Sequence, residues 1–156
     1  RICKIRRLDD KHNFTLMCRD LSELGVYAKV NNSSYRLLKN NTPGAYTFIL
    51  PATAEVPRRL LHPKRREIGM RVPENNIALA LLEELNAPLM STTLILPGDD
   101  APMTDPYEIR SMLEHEVDLV IDGGFCGFEP TTVINMIDDV PQITREGKGD
   151  PEPFRT

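Results

Sequence analysis

The chain has 156 residues, 40% of them apolar and 27% charged, with a formal net charge of −4; that is enough for one domain with a real core. No apolar run reaches the length of a membrane span, and no basic start followed by an apolar stretch marks a secretory signal. The three cysteines, Cys3, Cys18 and Cys126, are an odd number without CxxC spacing, which argues against a disulfide scaffold or a zinc site and for reduced thiols in a cytoplasmic setting.

In chain order, Asn13–Cys18 reads as a short strand, and Asp20 as a helix N-cap with Glu23 completing a capping box. Ser33–Lys39 reads as a turn or two of helix, stopped by the run Asn40-Asn41-Thr42-Pro43-Gly44. Tyr46–Leu50 is a β-branched and aromatic strand stopped by Pro51. A short helix over Glu55–Leu61 and a strand over Glu67–Val72 follow. Asn75–Leu85 is the best helix, with Ile77, Ala80, Leu81, Leu82 and Leu85 near helical spacing. Leu89–Leu96 reads as a strand. Asp105-Pro106 with Glu108 starts a helix running to about His115. Val117–Ile121, Thr131–Ile137 and Pro141–Arg145 read as further strands, and Glu146–Thr156 as loop or frayed tail. Alternating strands and helices make the class α/β or intermixed α+β.

The charge is unevenly placed. The first 73 residues carry 15 Lys+Arg against 6 Asp+Glu, a net of +9, and the last 83 carry 4 against 17, a net of −13. Either the basic half faces an anion, such as the phosphates of a nucleotide or RNA, or the two halves attract each other. One basic cluster opens the chain, at Arg1, Lys4, Arg6 and Arg7. Another is Arg58, Arg59, Lys64, Arg65 and Arg66.

Several segments could carry chemistry. If Lys4-Ile5-Arg6 is extended, Lys4 and Arg6 share a face and suit a polyphosphate. Pro43-Gly44 makes a tight turn that can bring backbone N–H groups to a ligand. Arg71 lies in an apolar strand and needs either an internal carboxylate or a bound anion. The hydroxyls of Ser91, Thr92 and Thr93 could meet phosphate or sugar oxygens or satisfy backbone groups; Thr131, Thr132 and Arg145 are similar cases. His12, His62 and His115 lack metal-ligand spacing, and the sequence has no Walker A loop, dinucleotide fingerprint or GxSxG elbow.

Taken in order, the segments KIR, HNFTLMC, TPGAYTFIL, IGMRVP, PLMSTT, PTTVIN and TREGKGD resemble the YrdC/YciO family, in its YciO branch, from about Lys4 to Asp150. The resemblance implies a YrdC/RibB-like twisted mixed sheet flanked by helices, with a basic concave face. It implies one YrdC-like domain over 1–150 lacking the family's N-terminal segment, and a tail over 151–156. The family's best-understood branch makes threonylcarbamoyl-AMP from threonine, bicarbonate and ATP for the threonylcarbamoyladenosine modification of tRNA. The expected activity is therefore that of an L-threonylcarbamoyladenylate synthase-like nucleotidyltransferase, with ATP as substrate and Mg²⁺ bridging its phosphates.

By the same resemblance, Lys4, Arg6, Ser91, Thr93 and Arg145 match ATP- and phosphate-binding positions, and Arg71 and Thr132 line the substrate pocket. A carboxylate attacking the α-phosphorus needs alignment and charge stabilisation more than acid–base residues, which suits cations and hydroxyls. Thr93 stands where the family signature has Asn. The family's Pro-Thr-x-Thr-x-Tyr loop, which holds threonine, also has no counterpart, so the chain as it stands is expected to be a poor synthase. The rival reading is a non-catalytic module for double-stranded RNA or tRNA, using Arg58, Arg59, Lys64, Arg65 and Arg66. A third is a remnant that associates with itself through an exposed strand edge.

Overall fold

A computed structural model describes residues 1–9, 12 and 14–155. The chain divides into two compact units: a smaller one of Arg1–Asp9 and Thr92–Glu129, and a larger one of Asp10–Ser91 and Pro130–Thr156.

The larger unit is built on a mixed six-stranded sheet. Its strands are β1 (Thr15–Met17), β2 (Tyr46–Pro51), β3 (Glu67–Arg71), β4 (Leu89–Ser91), β5 (Thr132–Asn135) and β6 (Gln142–Arg145), in the order β4-β1-β3-β2-β5-β6. β1 runs parallel to β3 and β2 parallel to β5, while the β1–β4, β2–β3 and β5–β6 pairs are antiparallel. Asn13, the first residue of the expected first strand, lies outside the described residues.

Alternation along the strands sorts the side chains onto two faces. On one face Leu16, Phe48, Leu50, Ile68, Met70 and Ile134 are buried in the core. Helices α2 (Leu21–Tyr27) and α3 (Asn32–Asn41) bring Leu24 and Leu38 into that core. Both start where polar caps dictate: Asp20 accepts from the Glu23 N–H, and Asn31 from that of Ser34. Phe154 also belongs to this core. The end of the chain, expected as loose tail, forms a 3₁₀ turn over Glu152–Phe154. Phe154 packs 5.3 Å from the Tyr46 ring and 5.7 Å from that of Phe48.

Helix α4 (Asn76–Leu85) starts within one residue of the expected Asn75, which serves as its cap, but its apolar residues are not equally buried. Leu82 is fully buried, whereas Ile77, Leu81 and Leu85 are 41%, 41% and 52% exposed. The expected helix over 55–61 shrinks to a 3₁₀ turn at Arg58–Leu60, because Pro57 leaves too few residues before the chain turns back.

The smaller unit holds α1 (Ile2–Arg6) and α5 (Pro106–Leu113) with long irregular connections. α5 starts at the Asp105 cap, whose carboxylate accepts from the Tyr107 N–H. Two expected strands fail here. Leu89–Leu96 forms a ladder only to Ser91, and Val117–Ile121 pairs with no strand among the described residues. Strand propensity cannot hold an extended segment without a partner. No helix among the described residues is long and apolar enough to cross a membrane.

The charge split along the sequence does not survive as two oppositely charged units. The smaller unit carries 5 Lys+Arg against 10 Asp+Glu, a net of −5, and the larger 14 against 13, a net of +1. The basic first half contributes to both.

Candidate functional site

The sheet face opposite the core is where the larger unit gathers its polar side chains. Thr15 on β1 stands directly across from Gly69 on β3 and Ser91 on β4, so Ser91 and Thr15 share this face. Two residues beyond Gly69, Arg71 projects to the same side. Thr47, between buried Tyr46 and Phe48, also faces this way. Val133 is paired with both Thr47 and Arg145, which extends the face to β6.

These groups are partly organised by one another. The Arg145 guanidinium donates to the Thr131 carbonyl from Nε and Nη2, at 3.0 and 2.8 Å, and to the Thr131 hydroxyl at 3.1 Å. That hydroxyl lies 2.7 Å from Thr47 Oγ1. Ser91 Oγ donates to the Thr15 carbonyl at a long 3.4 Å and so is held only weakly.

Gly69 is required by the crowding around it. A Cβ there would stand 2.8 Å from Thr15 Oγ1, 3.3 Å from Thr47 Cγ2 and 3.4 Å from the Phe14 carbonyl. The bare glycine leaves a shallow floor between two hydroxyl-bearing strands and beside Arg71.

Arg71 is the outstanding group. Its Nε is buried and has no hydrogen-bond partner among the described residues. Burial pulls its pKa below the ordinary arginine range, and no carboxylate offsets that cost. Of the two explanations open to the sequence, an internal carboxylate or a bound anion, the first has no counterpart among the ion pairs of the described residues.

Thr132 lies on the core side instead. It is fully buried; its hydroxyl donates to the Gly149 carbonyl and accepts from the Gly147 N–H at 2.9 Å. Both hydrogen-bonding roles are used in pinning the Gly147-Lys148-Gly149 loop, so the side chain is structural.

Lys4, Arg6 and Thr93 belong to the smaller unit. The conditional reading of Lys4 and Arg6 as neighbours on an extended face is corrected by α1. In a helix, residues two apart point about 200° around the axis, so the two cations diverge. Lys4 is exposed. Arg6 donates from Nη1 to Thr92 Oγ1 at 2.6 Å and from Nε to the Ile95 carbonyl at 3.0 Å, tying α1 to the segment after β4. Thr93 is exposed, and its carbonyl accepts from the Ile95 N–H. An apolar cleft of about 330 Å³ lies in the same unit, lined by Ile2, Ile5, Leu94, Ile109, Leu113 and Leu119, among others.

The basic residues Arg58, Arg59, Lys64, Arg65 and Arg66 sit on the β2–β3 connection, all exposed. The ladder closes there at Pro51 and Glu67, four residues along β3 from Arg71, or about 13 Å. The cluster is therefore separate from the polar face.

Sequence reasoning passed over Thr15, Thr47 and Gly69. The signal was present as a small or hydroxyl residue at one alternate position of each strand, in FTLMC, AYTFIL and EIGMR. It becomes readable only when the strand order is known.

The sequence and the fold are similar to those of known proteins. Residues 1–147 match the Sua5/YciO/YrdC family model, which carries the description "Telomere recombination". The chain is 62% identical over 154 residues to YciO of Escherichia coli K12, an uncharacterized protein, covering 99% of this chain and 75% of that one. It is 30% identical over 112 residues to the threonylcarbamoyl-AMP synthase of Bacillus subtilis, covering 71% of this chain and 32% of that one. The crystal structure of E. coli YciO superimposes with a TM-score of 0.93 at 61% identity, over 99% of this chain and 75% of that one. The structure of P. abyssi Sua5 complexed with L-threonine superimposes with a TM-score of 0.83 at 24% identity, over 94% and 43%, a likeness of fold. By sequence, topology and superposition, the chain belongs to the Sua5/YciO/YrdC family, on its YciO branch.

Proposed function

We propose that the polar face of the larger unit binds the polyphosphate of a nucleotide such as ATP, and that this serves an adenylate-forming reaction of the threonylcarbamoyl-AMP type. The observation that carries the reading is the unpartnered Nε of Arg71 on a face that also presents Arg145 and the hydroxyls of Thr15, Thr47, Ser91 and Thr131. A phosphate oxygen would supply the acceptor that Arg71 lacks, and charge-assisted bonds of this kind are about twice as strong as neutral ones.

In this reading Arg71 and Arg145 neutralise phosphate charge, and the hydroxyls donate to phosphate or sugar oxygens. Thr131 fixes the Arg145 guanidinium, so less freedom is lost on binding. Gly69 keeps the floor open. Within the smaller unit, Arg6 positions the Thr92–Thr93 segment. In-line attack by a carboxylate needs charge stabilisation rather than proton transfer, a task that cations and hydroxyls suit. Among the described residues no group of three carboxylate, histidine or cysteine side chains is placed to hold a metal; a Mg²⁺ ion would be held by the phosphates and water, as this ion often is. When bound, it would withdraw charge from the phosphate oxygens.

Calorimetric titration with ATP and magnesium tests the reading, using the chain and its Arg71→Met and Arg145→Ala variants. Binding that is lost in Arg71→Met and weakened about tenfold in Arg145→Ala is expected. Equal binding by all three would overturn it.

A further inference from the structure

We propose that the apolar cleft of the smaller unit binds a small amphiphilic carboxylate, a molecule with an apolar body and one anionic head. The cleft is lined from α1, α5 and the irregular segment after α5, wholly within that unit. Ile2 and Ile5 stand three apart on α1, and Ile109 and Leu113 four apart on α5, so each helix turns one apolar stripe to the cleft. Leu119 and Ile121 come from the segment that pairs with no strand among the described residues, and they stay 75% and 48% exposed. The walls enclose about 330 Å³, within the size range of small-molecule sites. Apolar surface left open to water gains free energy when a ligand covers it.

The polar part of the lining selects the head group. Among the lining residues only Arg6 and Thr92 are polar, and none is Asp or Glu, although the unit as a whole carries an acidic excess. Arg6 is half-buried and takes part in no ion pair among the described residues. Its Nη1 and Nε are spent on Thr92 Oγ1 and the Ile95 carbonyl, which fix the guanidinium at the cleft. Its Nη2 has no hydrogen-bond partner among the described residues.

A carboxylate at Nη2 would supply the missing counter-charge through a charge-assisted bond. Because the guanidinium is already held, little freedom is lost when it binds. A polyphosphate suits this place poorly, since one cation would meet one of its charges and apolar walls would desolvate the rest. A neutral hydrocarbon would fill the walls and leave the cation unpaired. An apolar body with a single anionic head satisfies both parts of the lining.

Titration of the chain with octanoate, octanol and octylammonium, which share one tail, tests this by calorimetry and chemical-shift mapping. One saturable octanoate site is expected, with shifts on Ile5, Ile109, Leu113 and Leu119. Octanol should bind about ten- to hundredfold more weakly, and octylammonium more weakly still. Arg6→Met should cost octanoate that same factor and leave octanol binding as in the parent, while Arg6→Lys keeps part of the octanoate affinity. Arg6 also ties α1 to the segment after β4, so Ile109→Trp serves as a second variant. It fills the cleft and should abolish binding of both octanoate and octanol with circular dichroism unchanged. No saturable octanoate binding, equal affinity for the three probes, or octanoate binding unaffected by both Arg6→Met and Ile109→Trp would overturn the proposal. So would a dimer in sedimentation that Ile109→Trp dissolves and octanoate does not, since a second copy would then be the occupant. ATP is titrated separately, so the nucleotide reading stands or falls by itself.

Discussion

Arg145 grips Thr131 by both its carbonyl and its hydroxyl, and the same hydroxyl lies within hydrogen-bond distance of Thr47. Three residues are thereby locked together, on β2, just before β5 and at the end of β6. Removing the Thr131 hydroxyl should loosen the guanidinium without exposing core. Thr131→Ala is expected to weaken ATP binding about three- to tenfold, by about 1 kcal/mol, with stability nearly unchanged; calorimetry and urea unfolding on one preparation check both halves.

Arg71 pairs a structural cost with a proposed function. Its Nε is buried without a hydrogen-bond partner among the described residues, so replacing it by an apolar side chain of similar reach should stabilise the free protein. Arg71→Met is expected to raise the unfolding free energy by about 1 kcal/mol or more while abolishing nucleotide binding. A variant less stable than the parent in urea would mean that the cation has an internal partner.

At Gly69 the space is already taken. Gly69→Ala would push a Cβ against Thr15 Oγ1 and Thr47 Cγ2, and the expected cost is about 1–3 kcal/mol. The double variant Gly69→Ala/Thr15→Ala removes the nearest clash and should recover part of that loss. Equal stability of the single and double variants in chemical denaturation would contradict the proposed crowding.

Cys18 supplies a pH test. Burial, with the Glu23 and Asp20 charges adding to it, pushes its thiol from 9.0 up to about 12. The folded state therefore prefers the neutral thiol more than the unfolded state does. Its contribution is fully present below pH 9 and is lost as pH rises from 9 towards 12, at a slope of up to about 1.4 kcal/mol per pH unit. Cys18→Ala should flatten that decline in urea unfolding series at increasing pH. In the native protein a thiol reagent should reach exposed Cys126 quickly and buried Cys18 only on unfolding.

Local signals in the sequence were reliable where they describe local physics. The caps at Asp20, Asn75 and Asp105 start helices because each side chain accepts a backbone N–H in the first turn. Tyr46–Leu50 is a strand because its alternating residues have a core on one side and paired neighbours on both edges. Val117–Ile121 is also rich in β-branched residues but pairs with no strand among the described residues, and stays irregular. Lys4-Ile5-Arg6 could be read as extended or helical, and only the fold selected the helix. Phe154 was passed over because a lone aromatic in a polar tail carries no periodicity, yet the Tyr46 and Phe48 rings complete its packing.

The candidate site was legible only in part. Arg71 was found from its conflict with an apolar strand, a local contradiction. Thr15, Thr47 and Gly69 carry no such conflict, because a hydroxyl or a glycine in a strand is ordinary until the sheet order sets them side by side. Thr132 looked equivalent to Thr131, and only their opposite faces separate a loop-pinning hydroxyl from one on the polar side.

The most direct test is a residue-resolved map of chemical-shift changes in the isotope-labelled chain on titration with ATP and magnesium. The account predicts the largest changes at Thr15, Thr47, Gly69, Arg71, Thr131 and Arg145, with Arg58–Arg66 little affected. Changes concentrated on Arg58–Arg66, or none anywhere on the polar face at saturating ATP, would contradict it.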